Sequence, residues 1–264
     1  MISRKLTTEQ LIARRMKIRS WNHKIGAKVA PHYSPSMGVR NPAPPEKLSL
    51  SLLLSSYAHM GHSTSLWNPL TQPFIYGKRD GIHIISLDQT MVYLRRAISV
   101  VREVAKAQGV IVFIGTRNGQ KESVVNAAKR ARGFHVFDRW LPGLITNARN
   151  VQGNLGGKIL SINDSGRIVP TEESPKFVIP DLMVILNPLE NRGACLEAQK
   201  ASIPTIGIVD SDADPKMVTY PIPANDDSLR CTDLIVGLLS KAAEQEYNQN
   251  PDFVKSTASY LPNA

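Results

Sequence analysis

Cysteine is nearly absent from this chain: Cys195 and Cys231 are the whole supply, and they stand in no Cys-x-x-Cys spacing. That excludes a disulfide framework and a thiolate zinc site, suits a reducing interior, and leaves two small apolar core residues. Long apolar runs are missing too. The longest, around Leu48 to Leu54, is broken by serines and falls short of the roughly 20 residues a bilayer span requires. Neither GxGxxG nor GxxxxGK[ST] occurs, and no GxSxG elbow does, so the common nucleotide-binding and hydrolase signatures are lacking. With 42% apolar and 20% charged residues the composition is that of a globular protein. Its 264 residues fit one domain of about 200 residues with tails.

What is present is positive charge, unevenly placed. The net charge is +10. Residues 1–50 carry ten Lys/Arg against two Asp/Glu, residues 51–150 thirteen against five, and residues 151–264 nine against fifteen. The first 150 residues therefore hold +16 and the remainder −6. Such a field draws a polyanion to one side, because each Lys or Arg that neutralises a phosphate releases a condensed counterion. An anionic membrane surface would respond to the same field, but no long basic amphipathic helix with a bulky apolar face is evident, which favours nucleic acid. The first twenty residues, MISRKLTTEQLIARRMKIRS, are Arg-rich and acid-poor and resemble a mitochondrial transit segment. A retained arm that threads Arg14, Arg15, Lys17 and Arg19 into RNA has the same composition.

Residues 21 to about 45 read as extended, because Pro31, Pro35, Pro42, Pro44 and Pro45 block helices and ladders. This divides the chain into a basic N-terminal arm (1–45), an α/β domain (46–247) and a loose tail (248–264). Leu48, Leu52, Leu53 and Tyr57 share helical spacing until Gly61. Phe74–Tyr76 and Ile82–Ile85 form a hairpin around the basic tip Gly77-Lys78-Arg79-Asp80-Gly81. Asp88 is the expected N-cap of a helix that carries Met91, Leu94, Ile98, Val101 and Ala105 and closes at Gly109. Strands then alternate with helices: 110–114, 118–132, 134–137, 182–186, 189–201, 205–209 and 227–247. Apolar strands alternating with amphipathic helices predict an α/β fold, Rossmann-like or flavodoxin-like. It is a mostly parallel sheet with helices on both faces, plus an extended basic N-terminal arm.

Three motifs invite chemistry. The strand 110–114 runs into Gly115-Thr-Arg-Asn-Gly119, the place where a doubly wound fold holds phosphate. Any βαβ unit needs a tight turn there, and Arg117 and Lys121 serve an RNA phosphate equally well. Asp210, Asp212 and Asp214 follow a strand and could hold Mg²⁺, or form a solvated Asp-rich turn. His59 and His62 have the i, i+3 spacing of a metal pair, yet lack the further ligands zinc needs. The basic clusters carry more weight: Lys78-Arg79 at the hairpin, and Lys129, Arg130 and Arg132 beside Arg139-Trp140. Trp67, Trp140 and His135 are interleaved with them to stack on unpaired bases.

Three stretches together resemble the ribosomal small-subunit protein S-two family. The first is Gly61-His-Ser-Thr-Ser-Leu-Trp67-Asn68-Pro69 with Pro73-Phe-Ile-Tyr-Gly77-Lys-Arg79-Asp-Gly81-Ile-His83. The second is Phe113-Ile-Gly115-Thr116-Arg, then Ala127-Ala128 and Arg139-Trp140-Leu-Pro-Gly143-Leu-Ile-Thr146-Asn147. The third is Pro180-Asp181, Glu197 to Pro204, Ile208 to Pro215, and Tyr220-Pro-Ile-Pro-Ala-Asn225-Asp226-Asp227.

The resemblance implies a Rossmann-like sheet with no nucleotide and no catalysis. It implies a monomer in the small subunit, between head and body, bound to ribosomal RNA and neighbouring proteins. The RNA-facing set it implies is His62, Trp67, Asn68, Lys78, Arg79, Arg117, Arg139, Trp140, Thr146 and Asn147, to which the basic clusters add Lys121, Arg130 and Arg132. No cofactor is expected, Mg²⁺ entering only as a counterion of the rRNA, and the segments 210–214 and 225–227 are expected to be structural. Bacterial members carry a charged helical hairpin where residues 148–179 are here rich in Gly, Asn and Ser. That departure and the basic arm point to the mitochondrial matrix. The competing expectation is a Rossmann-like enzyme using a nucleotide and Mg²⁺ at 115–119 and 210–214.

Overall fold

The computed structural model describes residues 8–22, 37–148, 150–151, 160–162, 168–170 and 178–249. Two units separate, residues 1–37 and 38–264. In the first, α1 (Thr8–Asn22) exposes every residue from Ile12 to Ile18, so Arg14, Arg15 and Lys17 all face solvent. The side chain of Arg19, most of the proline-rich stretch and the tail beyond Gln249 lie outside the described residues.

The second unit starts at Gly38, ahead of the start expected at Glu46. Val39 of α2 (Met37–Arg40) is buried, as are Pro42 and Pro45 after it. The Pro42 ring fills the notch left by Gly237, where an added Cβ would come within 2.6 Å of it. Proline denies this strap ladder hydrogen bonds, but its rings pack as apolar groups all the same.

Ser49 caps α3 (Leu50–Ser55), its hydroxyl accepting from Leu52 N–H at 3.3 Å. Tyr57, at φ 63°, turns the chain before Gly61 is reached. An antiparallel sheet of order β1-β3-β2 follows, built from β1 (Met60–Ser63), β2 (Ile75–Arg79) and β3 (Ile82–Ile85). Asp80 and Gly81 both take positive φ, as a two-residue hairpin demands, so Lys78 and Arg79 end a strand and do not sit in the turn. β1 was not foreseen, and it removes the helical spacing from His59 and His62.

The remaining elements are α4 (Leu87–Lys106), β4 (Ile111–Ile114), α5 (Lys121–Arg130), β5 (Phe134–Val136), β6 (Leu160–Ile162), β7 (Ile168–Pro170), β8 (Leu182–Ile185), α6 (Arg192–Lys200), β9 (Thr205–Val209), β10 (Tyr220–Pro223) and α7 (Leu229–Gln249). Ser86, and not Asp88, precedes α4; Asp88 lies in its first turn, where a carboxylate still meets the positive end of the helix. The helices α5, α6 and α7 start two to three residues later than their patterns suggest, and before α7 a side chain holds the turn. Asn225 Oδ1 accepts from the amides of Asp227 (2.9 Å) and Ser228 (3.1 Å). Within the Gly-rich interval, β6 and β7 pair as an antiparallel hairpin.

Five strands pair in parallel in the order β10-β9-β8-β4-β5. Numbered along the chain and read from the β5 edge, that order is 2-1-3-4-5, the flavodoxin-like order whose switch point falls between β4 and β8. Alternate residues serve opposite faces. Ile111, Phe113, Val184 and Ile206 pack under α3, α4, α5 and α7, while Val112, Ile114, Met183 and Ile185 pack under α6. Helices therefore cover both faces, as expected. Pro221 and Pro223 argue against a strand at β10, but its place at the sheet edge is where proline is tolerated.

Candidate nucleic-acid interface

The expected RNA-facing residues separate into those that keep their polar groups for a ligand and those the protein consumes. Lys78, Arg79, Lys121 and Arg139 are exposed. Among the described residues, Arg79 has only the exposed Asp80 carboxylate beside it, at 3.5 Å. Lys121 Nζ sits 4.4 Å from the Phe137 ring centroid, and Phe137 in turn stacks on His135. Arg132 stands 5.5 Å from the Tyr247 ring.

Arg117 is consumed. At the turn after β4 its Nε meets Glu190 Oε1 at 2.6 Å, and its Nη1 meets Asp226 at 3.0 Å and Asp227 at 2.6 Å. Burial works against the charge, but Glu190 and Asp226 outweigh it and hold the guanidinium still more firmly protonated. Arg130 is also diverted: its Nε donates to Ser240 Oγ at 3.0 Å and its Nη1 to the Val39 carbonyl at 2.8 Å. Burial lowers its pKa, with Glu244 opposing.

His62 meets the same fate as Arg117. β1 carries it to the carboxyl ends of the parallel strands, where Nδ1 lies 3.2 Å from Asp210 and 3.7 Å from Asp212, and Nε2 lies 3.1 Å from Asp227. The Asp210 contact raises its pKa to about 9, against burial. Both nitrogens of the imidazolium thus face carboxylates at ion-pair distance, not solvent-borne phosphate. Across the cluster, burial followed by the facing Asp210 pushes Asp226 up to about 7, with Arg117 opposing, and burial raises Asp212. Ligand atoms of His62, Asp210 and Asp212, and of His62, Asp226 and Asp227, lie within 4.8 Å of one another. They could hold a divalent cation only if the imidazole first lost a proton, since a ligating nitrogen needs its lone pair. The Asp-rich turn is less solvated than its composition suggested: Asp210 is 1% exposed and receives the Asp226 amide, while Asp214 caps the next turn by accepting from Lys216 N–H at 2.8 Å.

The remaining residues are held by their neighbours. Trp67 Nε1 donates to Thr71 Oγ1 at 3.2 Å, and its ring rests 5.4 Å from that of His83. Asn68 Oδ1 accepts from Leu70 N–H at 3.1 Å, capping a short turn. Trp140 Nε1 donates to Glu197 Oε1 at 3.0 Å, and the same carboxylate accepts the amides of Gly143 (2.7 Å), Ile145 (3.1 Å) and Thr146 (3.3 Å). Thr146 and Asn147 are exposed on this loop, where Asn147 Oδ1 accepts from Asn150 Nδ2. Trp140 and Thr146 are thus held on one loop by a buried glutamate, Glu197, which the sequence marks only as the start of a family motif. Its signal was a carboxylate in the small apolar stripe Ala194-Cys195-Ala198 of α6.

The glycine turn is tightly packed. An added Cβ at Gly115 would come within 3 Å of Leu186, Val124 and Gln120, and one at Gly119 within 2.8 Å of Leu229. These glycines serve close packing of the protein against itself, and the turn's arginine is already neutralised.

The sequence model of the family described as Ribosomal protein S2 matches residues 53–246. The chain is 76% identical over 249 residues to the small ribosomal subunit protein uS2m of Schizosaccharomyces pombe, covering 94% of this chain and 95% of that protein. It is 48% identical over 232 residues to the uS2m protein of Neurospora crassa, covering 86% and 53%. To the small ribosomal subunit protein uS2 of Caulobacter vibrioides it is 38% identical over 217 residues, covering 74% and 81%.

Proposed function

This chain belongs to the ribosomal protein S2 family, and from that premise we infer that it is a structural constituent of the small subunit of the mitochondrial ribosome. It works in the mitochondrial matrix, in association with small-subunit rRNA and other ribosomal proteins, and it is not an enzyme. The observation that carries this reading is the 76% identity to a uS2m protein along nearly the whole of both chains.

The finer assignment is of contacts. Lys78, Arg79, Lys121 and Arg139 are exposed cations in the positively charged part of the chain, and they serve as phosphate contacts that fix register on the rRNA. The exposed Arg14, Arg15 and Lys17 of α1 extend the same chemistry. His62, Arg117 and Arg130 are excluded from that set, since carboxylates, a hydroxyl and a carbonyl already take their donors. The protein sits between head and body of the subunit as a monomer, requires no cofactor of its own, and meets Mg²⁺ only as a counterion of the rRNA.

Sucrose-gradient sedimentation of a mitochondrial lysate, with and without Mg²⁺ chelation, tests the reading. Co-migration with the small subunit in Mg²⁺, shifting when chelation disperses the subunit, is the expected result. A position at the top of the gradient in both conditions would sink it.

A further inference from the structure

Beside the filled glycine turn, the sheet keeps an open crevice. It lies at the switch point between β4 and β8, where chain connections leave in opposite directions and doubly wound sheets accept ligands. Thr116 follows β4, Glu190 and Gly193 follow β8, and Asp138, Arg139 and Trp140 follow β5; together they line about 320 Å³. That volume lies in the range of small-ligand sites. We propose that this crevice receives one unstacked guanine base, everted from the small-subunit rRNA. The rRNA as the source of the base rests on the function proposed above; the base-binding chemistry does not.

The lining argues for a base and against a phosphate. Asp138 places a carboxylate on the crevice that repels a phosphate oxygen, while Glu190 is already paired with Arg117. Trp140 and Pro142 contribute flat apolar wall, and the Glu197 contact to Nε1 holds the indole in place before any ligand arrives. Gly193 keeps the opening wide: a Cβ there would meet only Trp140 Cδ1, at 3.7 Å. Unpaired bases are what such surfaces recognise in RNA, by stacking and by hydrogen bonds to the base edges.

The polar inventory selects among the bases. Thr116 Oγ1 accepts from Asn187 Nδ2 (2.9 Å) and Asn191 Nδ2 (3.0 Å), which leaves its hydrogen to be donated. Asp138 and Arg139 take part in no ion pair among the described residues. A carboxylate has two acceptor oxygens side by side, and guanine alone presents the matching adjacent donors, N1–H and the 2-amino group. Arg139, exposed at the rim of the crevice, keeps its guanidinium for a backbone phosphate of the same nucleotide.

The test uses the full chain, the variants Gly193→Leu and Asp138→Asn, and two probes. Tryptophan fluorescence follows titration with GMP, AMP, CMP and UMP, while filter binding measures affinity for transcribed small-subunit rRNA. Melting temperatures establish that the variants fold. GMP is expected to bind best, Gly193→Leu to abolish its binding by filling the crevice, and Asp138→Asn to erase the preference for guanine. Loss of one stacked base is expected to weaken rRNA binding by about tenfold or more in Gly193→Leu. If Gly193→Leu does not fold, the exposed Asp138→Asn carries the test alone. GMP binding that depends on Gly193, with rRNA affinity unchanged, would confirm the guanine site and overturn rRNA as its source in favour of a free nucleotide. No response to GMP, together with wild-type rRNA affinity in both variants, overturns the crevice site and leaves the ribosomal reading standing. A wild-type chain that binds no rRNA overturns RNA binding itself, and the GMP titration then decides the crevice separately.

Discussion

Glu197 of α6 takes the indole N–H of Trp140 at 3.0 Å and, through the same two oxygens, the backbone amides of three residues in the following loop. One carboxylate from one helix thus sets the course of a loop more than fifty residues earlier in the chain. Several N–H donors converging on a buried anion leave no substitute of equal geometry.

Glu197→Gln tests that convergence. The amide replaces an acceptor oxygen by an NH₂ facing N–H donors, so at least one donor is left unsatisfied. The expected loss is about 1–3 kcal/mol, read from the urea midpoint. An unchanged midpoint would show that the loop is held by other contacts.

The same residue imposes a dependence on pH. Burial alone would raise the Glu197 pKa, but the donors of Trp140, Gly143, Ile145 and Thr146 outweigh it and hold it below the ordinary 4.5. A depressed carboxylate pKa contributes stability that is complete above the unfolded value and is lost as pH falls through the folded one. Urea midpoints measured downward from neutral pH should therefore fall more steeply below about pH 4.5 in the wild-type chain than in Glu197→Gln. Parallel curves would contradict the shift.

His62 and its partners predict a graded series. Asp210 is 1% exposed, and Asp210→Asn removes the buried carboxylate from a half-buried imidazolium that keeps Asp212 and Asp227, with an expected cost of about 1–3 kcal/mol. The Asp227 side chain is 61% exposed, so Asp227→Asn is expected to cost less than about 1 kcal/mol. Equal effects in chemical denaturation would mean that burial does not govern this cluster.

Arg117 and Arg139 should part company. Arg139→Ala is expected to leave the melting temperature unchanged and to reduce the salt slope of rRNA binding by about one unit. Arg117→Ala leaves Glu190, Asp226 and Asp227 without their common cation, so its first effect is a lower melting temperature. A phosphate role for Arg117 would instead appear as an altered salt slope in a protein of normal stability.

Much of the fold was readable from local pattern. Leu94, Ile98, Val101 and Ala105 recur at helical spacing and are all buried, and Thr205–Val209 is a strand with the bounds its apolar run suggested. Where pattern misled, the cause lay in packing. Pro42 and Pro45 read as arm residues yet are buried, because their rings find an apolar surface formed by distant parts of the chain. β10 carries two prolines and is recognisable only once it lies at a sheet edge. The candidate site was less legible, since composition counts charges without pairing them.

The sequence by itself determined the alternation of strands and helices, the concentration of positive charge in the first 150 residues, and the motifs that mark the family. These properties reside in neighbours along the chain, where periodicity and charge density are local quantities. Only the tertiary structure decided which cations remain available to RNA. Arg117 and Asp227 are 110 residues apart in the chain and 2.6 Å apart in space, and His62 finds Asp210 from another sheet. Whether a basic side chain faces a phosphate or a carboxylate depends on what the fold carries to it.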